Sequence, residues 1–226
     1  MRLLASGCSY TDYKWTTWAD VLGNEFAEYC QVGQGGADNA FIARSIVNNA
    51  RPGDTVIAMW TSYDRWSFYS DQVTPLPKNS NNHWQHIGSL ALWDKYFFTK
   101  YYHQVERFQT TMDYIQLVDL HSQANNYTVH HFSAFPFFSA ETDQVVNPET
   151  IDIYNRYSIS NNHLTNVLSL REYCDKHHNI LIGGNDPHPS PACHWDYAEQ
   201  VIAPILNLTL DNKFKQHILN EQQELI

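Results

Sequence analysis

The sequence predicts an α/β fold: a single, doubly wound domain of three layers, α/β/α, around a mostly parallel five-stranded sheet. Short β-prone segments alternate with helical patterns along the chain, which is typical of a parallel sheet. No linker rich in proline, glycine or serine divides the 226 residues, and hydrophobic content of 43% with 17% charged residues is that of a globular protein. We expect the domain to span residues 1–210, with residues 211–226 as a peripheral helix or tail.

The first part of the chain alternates strand and helix. Residues 2–6 form a short apolar run, and apolar residues from 15 to 26 then recur at helical spacing. A second strand is expected at 29–32, and Asp38 is suited to cap the helix after it. The continuous β-prone run at 55–60 predicts a third strand that is buried on both faces.

An aromatic-rich insertion is expected at about residues 71–123. Its first part, 71–84, is polar and punctuated by proline, so it predicts a loop at the rim of the sheet or over it. Apolar residues between 90 and 115 then step by three or four, which predicts one long helix or two in succession.

The remaining elements follow the same alternation. Residues 127–135 predict a fourth strand, 139–161 look irregular, and 164–177 predict a helix. A last strand is expected at 180–182. Ser190 and Pro191 then form a cap and first-turn pair for the final core-facing helix.

Charge and cysteine content exclude several classes of protein. With 14 Lys and Arg against 24 Asp and Glu, the chain has no basic stripe for nucleic acid. No segment approaches the roughly 18 apolar residues that a membrane span needs, and the N-terminus shows no signal peptide, so we expect a cytoplasmic protein. Four scattered cysteines do not suggest a disulfide framework, so reduced thiols are expected. We expect no cofactor, and the oligomeric state stays open.

Residues with catalytic chemistry follow the ends of the expected strands. In an open parallel sheet these ends share one rim, where ligands bind. Ser9 follows the first strand, while Asp186 and His188 follow the last. A serine hydroxyl becomes a nucleophile when an imidazole takes its proton and a carboxylate orients that imidazole. Ser9, His188 and Asp186 are therefore the candidate catalytic residues.

The same rim offers donors for an oxyanion. The backbone N–H groups of Ser9 and Gly36 and a side chain from Thr61-Ser62 have the chemistry of an oxyanion hole. Gly36 is equally well explained as a residue that only permits a turn. Four neighbours of these positions are expected to contact the substrate: Tyr10, Asn39, Trp60 and Arg65.

Four blocks of the sequence resemble the SGNH, or GDSL, hydrolase superfamily. They are Gly7-x-Ser9, residues 33–39, the run that ends in Thr61-Ser62, and Asp186-x-His188-Pro189-Ser190. The resemblance implies that Ser9 is the nucleophile and an oxyanion donor, Gly36 a second donor, and His188 the base. It also implies the SGNH, flavodoxin-like form of the α/β fold.

Two positions depart from the family pattern. Ser62 stands where the family has an asparagine that donates to the oxyanion. The family aspartate lies three residues before the histidine, a position held here by Asn185, whereas Asp186 lies two before. Since an amide cannot stabilise an imidazolium as a carboxylate does, we expect Asp186 to reach His188 through a tighter turn.

These features predict a serine esterase of SGNH type, without a metal, that hydrolyses a small acyl ester. Its substrate is expected to be a small molecule or a glycan; an acetyl group on a carbohydrate suits an aromatic content of 14%. One alternative keeps the fold but makes the chain an acyltransferase or a catalytically silent carbohydrate-binding protein. A metal-dependent hydrolase using the histidines is less favoured, because the adjacent His130 and His131 point to opposite faces of a strand.

Overall fold

The computed structural model describes residues 1–74, 82–87, 102–138, 146–177, 186 and 188–225. These residues form two sheets, one parallel and one antiparallel. Their strands are β1 (Arg2–Ser6), β2 (Glu28–Gln31), β3 (Thr55–Trp60), β4 (Trp66–Thr74), β5 (Asn82–Ile87) and β6 (Thr128–Ser133).

The main sheet has four parallel strands in the order β2-β1-β3-β6. Its two central strands, β1 and β3, are almost wholly buried, as expected for strands that are covered on both faces. The predicted α/β class and parallel sheet are therefore confirmed. The fifth strand expected at 180–182 lies outside the described residues.

The second sheet is an antiparallel hairpin of β4 and β5. It corrects the prediction of a loop over all of 71–84, because β4 continues to residue 74 and β5 begins at residue 82. The polar composition of this segment predicted a loop wrongly, because strand preference depends on what a strand pairs with more than on its residues alone.

The helices flank the main sheet in two groups. α2 packs against α3 and contacts β1 and β3, whereas α1 contacts β1 and β2 and packs against α6. Their bounds are α1 (Trp18–Gly23), α2 (Asn39–Asn49), α3 (Gln104–Asn125), α4 (Pro148–Tyr154), α5 (Leu170–His177), α6 (Pro191–Tyr197), a π-helical turn (Ala198–Ile202), α7 (Ala203–Leu206) and α8 (Asn212–Glu224). The part of the chain that the structure describes has no helix long and apolar enough to cross a membrane.

Capping residues set the helix starts. Asp38 caps α2 as predicted, accepting from Phe41 N–H, and the Ser190 hydroxyl caps α6. Asn147 caps α4, a helix in the stretch 139–161 that was expected to be irregular. The helix expected from residue 164 begins only at Leu170, because Ser169 and Glu172 form reciprocal bonds that start α5 there.

A disulfide joins Cys174 in α5 to Cys193 in α6, with Cα atoms 6.0 Å apart. The expectation of four reduced thiols is therefore wrong for this pair, while Cys8 and Cys30 are free. Spacing along the chain gave no sign of it, since α5 and α6 come together only through packing.

The C-terminal segment, expected to be a peripheral helix or tail, contains α8. This helix packs against α6 and buries Ile218, while most of its other residues stay exposed or half-buried.

Candidate functional site

Ser9 lies in a tight turn directly after β1. Thr11 N–H and Asp12 N–H both donate to the Cys8 carbonyl, at 2.8 and 3.1 Å, which curls the chain around Ser9. Gly7 has no room for a side chain, because a Cβ there would lie 2.1 Å from Thr11 Oγ1. Glycine at position 7 therefore lets the turn pack closely against the end of β1. Ser9 itself is 8% exposed.

The glycines after β2 bring a second chain segment to the same place. A Cβ on Gly33 would lie 2.9 Å from the Gly7 carbonyl oxygen, and Gln34 N–H donates to that oxygen at 3.0 Å. Gly36 has a φ of 79°, in the left-handed region that favours glycine. The turn-forming role of Gly36 therefore stands on its backbone conformation, and it is compatible with a donor role for its N–H.

Asp186, His188 and Ser9 form one continuous chain of hydrogen-bonding groups. His188 Nε2 lies 2.9 Å from Ser9 Oγ, and His188 Nδ1 lies 2.7 Å from Asp186 Oδ1. The same Asp186 oxygen also accepts from His188 N–H at 3.1 Å, which closes the short turn between the two residues. A carboxylate two residues before the histidine therefore reaches Nδ1. Asn185 lies outside the described residues.

The charges around this chain favour an ionised aspartate and a neutral imidazole. Burial opposes ionisation of Asp186, but hydrogen bonds from Tyr13, Lys14 and His188 outweigh it and hold the pKa of the carboxyl well below its usual value. Burial lowers the pKa of His188; the bond to Asp186 opposes this, and the charges of Arg65 and Lys14 add to it. An imidazole that is neutral at pH 7 is able to accept the serine proton.

Three residues after the turn at Ser9 belong to the site although the sequence did not suggest them. Tyr13 OH donates to Asp186 Oδ2 at 2.8 Å, and Lys14 Nζ lies 3.0 Å from the same oxygen. Trp15 Nε1 donates to the Pro189 carbonyl at 2.9 Å. Helical spacing had assigned Trp15 to the first helix, but α1 begins at Trp18. The aromatic and basic character of residues 13–15 was the available signal.

The turn after β3 brings the third block to the rim. Ser62 is 4% exposed, and its carbonyl accepts from Arg65 N–H at 3.4 Å. Thr61 is fixed by Asn39, which receives the Thr61 N–H on Oδ1 at 2.9 Å and donates from Nδ2 to the Thr61 carbonyl at 3.0 Å. Ser62 therefore follows a residue whose backbone α2 holds on both sides.

Two of the four expected substrate contacts are instead structural. Asn39 spends its amide on Thr61 and on the Thr111 hydroxyl, 3.1 Å away, so it has a packing role. Trp60 is fully buried, and its Nε1 donates to His131 Nδ1 at 3.0 Å. Both side chains are buried, and their polar groups bond to partners inside the protein, which leaves them little surface for a substrate.

Tyr10 and Arg65 lie close to His188. The Tyr10 ring is 5.8 Å from the His188 ring and 4.9 Å from Phe135. The Arg65 guanidinium lies over Phe135 at 5.2 Å. Burial raises the pKa of Tyr10 to about 12 against the opposing effect of a hydrogen bond with Arg171. Both side chains are buried, so they help to form the wall of the site beside His188.

An open cleft of about 460 Å³ is lined in part by the residues that directly follow Phe135 in the chain. Among the described residues that line it, most are apolar and Glu172 is the one with an ionisable side chain. The other lining residues are Pro136, Phe137, Phe138, Val146, Leu164, Thr165, Asn166, Val167 and Leu168.

Three described histidines outside the site, His130, His131 and His163, pack against other side chains of the protein. His131 is fully buried between Trp60 and Asp119, whose Oδ1 lies 3.8 Å from His131 Nε2. His130 Nδ1 instead faces His163 Nε2 at 3.4 Å. Among the residues that the structure describes, no group of three or more His, Cys, Asp or Glu side chains is placed to hold a metal ion.

Comparison with known proteins adds little to this geometry. No family model matches the sequence, and no curated protein matches it. Among solved structures, the chain is similar to a crystal structure of the protein YxiM from Bacillus subtilis, with 11% identity and a TM-score of 0.35. The match covers 69% of this chain and 41% of that chain. A likeness at this level carries no argument about fold or function.

Proposed function

We propose that this protein is a serine hydrolase of SGNH type that cleaves a small acyl ester. One observation carries the proposal: His188 Nε2 lies 2.9 Å from Ser9 Oγ, and His188 Nδ1 lies 2.7 Å from Asp186 Oδ1. In this mechanism His188 takes the proton of Ser9 as Ser9 attacks the ester carbonyl, and Asp186 stabilises the imidazolium that forms. The proton then passes to the leaving alkoxide, and water hydrolyses the acyl-enzyme by the same steps.

Oxyanion stabilisation is part of the proposal. The N–H groups of Ser9 and Gly36 and the hydroxyl of Ser62 are assigned as donors to the negative charge that develops on the carbonyl oxygen. The tight turn at Ser9 after β1 and the left-handed backbone at Gly36 after β2 support the two backbone assignments, because the carboxyl ends of neighbouring parallel strands share one rim.

The finer form of the fold belongs to the same proposal. The chain passes from β1 outward to β2 and then returns across β1 to β3, a reversal that defines a doubly wound sheet. The five-stranded, three-layer SGNH arrangement expected from the sequence is part of this proposal, and its fifth strand falls outside the described residues.

Active-site labelling tests the proposal directly. A fluorophosphonate probe should label the wild type, and it should not label Ser9→Ala or, at an equal probe concentration, His188→Gln. Ser158→Ala removes an exposed serine outside the site and should label like the wild type. Equal labelling of the wild type and Ser9→Ala would contradict the proposal.

Turnover separates the proposed hydrolase from an acyltransferase and from a silent binding protein. The wild type should hydrolyse p-nitrophenyl acetate in buffer alone. Turnover that appears only when a glycan or another hydroxylated acceptor is added would indicate a transferase. Binding of the protein to glycans without any turnover would indicate a carbohydrate-binding protein. Esters of increasing acyl length would show whether the apolar cleft beside Phe135 accepts the acyl chain.

A further inference from the structure

The two oxygens of Asp186 have different partners. Oδ1 faces His188, through the ring nitrogen at 2.7 Å and the backbone N–H at 3.1 Å. Oδ2 receives Tyr13 OH at 2.8 Å and lies 3.0 Å from Lys14 Nζ. The carboxylate is thus held from the β1 turn as well as from its own short loop.

Tyr13 also contacts the imidazole itself. Its ring stacks on His188 with centroids 3.9 Å apart and planes 21° apart. Trp15 meets Tyr13 edge-on, with ring centroids 4.5 Å apart, and Trp15 is anchored to the backbone at Pro189. Tyr13 therefore touches both Asp186 and His188, and the buried side chain of Trp15 supports its position.

This support matters because only one residue separates Asp186 from His188. A turn that short leaves the chain little freedom to aim the carboxylate at Nδ1, so its orientation has to be fixed by groups from elsewhere. We propose that Tyr13 and Lys14 are positioning residues: Tyr13 holds Asp186 and the His188 ring in line with Ser9, and Lys14 holds the carboxylate from the solvent side. The inference rests on the proposed function.

The electrostatics of the site agree with this assignment. His188 faces Asp186 and Lys14, the Arg65 guanidinium, the rings of Tyr10 and Tyr13, and the buried His194. Lys14 and Arg65 both lower the pKa of His188, whereas Asp186 raises it. Removing the Lys14 charge should therefore raise that pKa. Since the Lys14 side chain is 57% exposed, the effect should be modest.

Two pairs of variants test the proposal against matched controls. Tyr13→Phe keeps the stacked ring and removes the hydroxyl; its control is Tyr157→Phe, which removes a tyrosine hydroxyl bonded to Asp113 elsewhere. Lys14→Met removes a lysine that pairs with Asp186 and lies over Trp15; its control is Lys215→Met, since Lys215 pairs with Glu199 and lies over Trp195.

We expect Tyr13→Phe to lower kcat about 10- to 100-fold on a soluble acyl ester, with KM within about twofold, because a hydrogen bond to a charged group is lost. Lys14→Met should move the acid limb of the pH profile of kcat/KM upward by roughly half a unit, and Lys14→Arg should restore it. An NMR titration of His188 in the Ser9→Ala background should show the same upward shift with Lys14→Met. Thermal unfolding checks that every variant is folded.

The outcomes separate this inference from the function on which it rests. If the wild type is labelled by fluorophosphonate while Tyr13→Phe and Lys14→Met behave like their controls in kcat, pH profile and titration, the positioning roles are wrong and the hydrolase proposal stands. If the wild type is not labelled, the hydrolase proposal is wrong, and the positioning roles that rest on it are wrong with it. A loss of activity in Tyr13→Phe that Tyr157→Phe reproduces would also overturn the inference.

Discussion

Asp186 shows how much a single residue position decides in this site. The family spacing places a carboxylate three residues before the histidine, yet here the carboxylate two residues before it reaches Nδ1 at 2.7 Å. Its second oxygen is bonded by Tyr13, so a group distant in sequence supports what the loop alone does not. The identity of the orienting group is therefore a property of the assembled site.

The pH dependence of the proposed reaction follows from His188. Its pKa lies below its ordinary value of 6.5, mainly because burial disfavours the charged ring. The neutral ring is the base, so kcat/KM should rise as the pH rises through that pKa and then level off. We expect the half-maximal point of the acid limb below pH 6.5, measured with an ester whose leaving group does not titrate there. A midpoint above 7 would contradict this reading of the site.

Ser62 tests the oxyanion assignment at the same scale. Ser62→Ala should lower kcat about 100-fold, the usual effect of losing one oxyanion donor, with little change in KM. Ser158→Ala, which removes the hydroxyl of an exposed serine outside the site, is the matched control. Equal rates for Ser62→Ala and the wild type would remove Ser62 from the oxyanion hole and leave Ser9 and Gly36.

At the scale of elements, α2 fixes the end of β3 through Asn39. The Asn39 amide accepts one hydrogen bond from the Thr61 N–H and donates one to the Thr61 carbonyl, as a neighbouring strand would. Asn39→Ala should lower the free energy of unfolding by about 1–3 kcal/mol, because buried backbone groups lose their partners. Urea unfolding measures this, with the exposed Asn48→Ala in the same helix as the control. A change no larger than that of Asn48→Ala would show that the two Asn39–Thr61 bonds, the Asn39 clip, contribute little to stability.

The disulfide acts between two other elements, α5 and α6. Cys174 and Cys193 are 19 residues apart, and the segment between them includes Asp186 and His188. Replacing both by alanine should lower the free energy of unfolding by about 3 kcal/mol, chiefly by freeing the unfolded chain.

Urea unfolding with and without dithiothreitol provides the measurement. The reductant should weaken the wild type and leave the double variant unchanged. Cys30→Ala changes a free, half-buried cysteine and should respond to the reductant like the wild type. A wild type that is insensitive to the reductant would argue against the pairing in solution.

At the scale of the whole molecule, buried histidines link stability to pH. His194 is fully buried in α6, and burial, followed by the charge of His188, lowers its pKa to about 3. An unfolded histidine titrates near 6.5, so only the unfolded chain binds this proton as the pH falls from about 6.5 towards 3. Stability from this group is therefore present above pH 6.5 and lost below it, by about 2 kcal/mol at pH 5.

We expect the urea midpoint of the wild type to fall between pH 7 and pH 5. His194→Leu should lose less stability over that interval than the wild type does, whatever its stability at pH 7. His217→Leu, at an exposed position of α8, should keep the wild-type dependence. Parallel pH dependences for His194→Leu and the wild type would assign the acid sensitivity to other groups.

The sequence was sufficient where local chemistry decides the outcome. Continuous apolar runs predicted β1 and β3, because a strand covered on both faces must be apolar throughout. Asp38 and Ser190 predicted the starts of α2 and α6, because a capping oxygen acts on N–H groups only two or three residues away. Order along the chain also indicated Ser9, His188 and Asp186, since parallel strands end at a common rim.

Tertiary structure alone decided which of these residues meet. The 2.9 Å contact of His188 with Ser9 joins positions 179 residues apart, and the roles of Tyr13 and Lys14 exist only because the β1 turn lies against Asp186. The same holds for the burial of Trp60, the Asn39 clip and the disulfide. Hydrophobic periodicity and capping act over a few residues, whereas these contacts depend on how helices pack on a sheet. That packing is a property of the whole chain and leaves no local pattern from which to predict it.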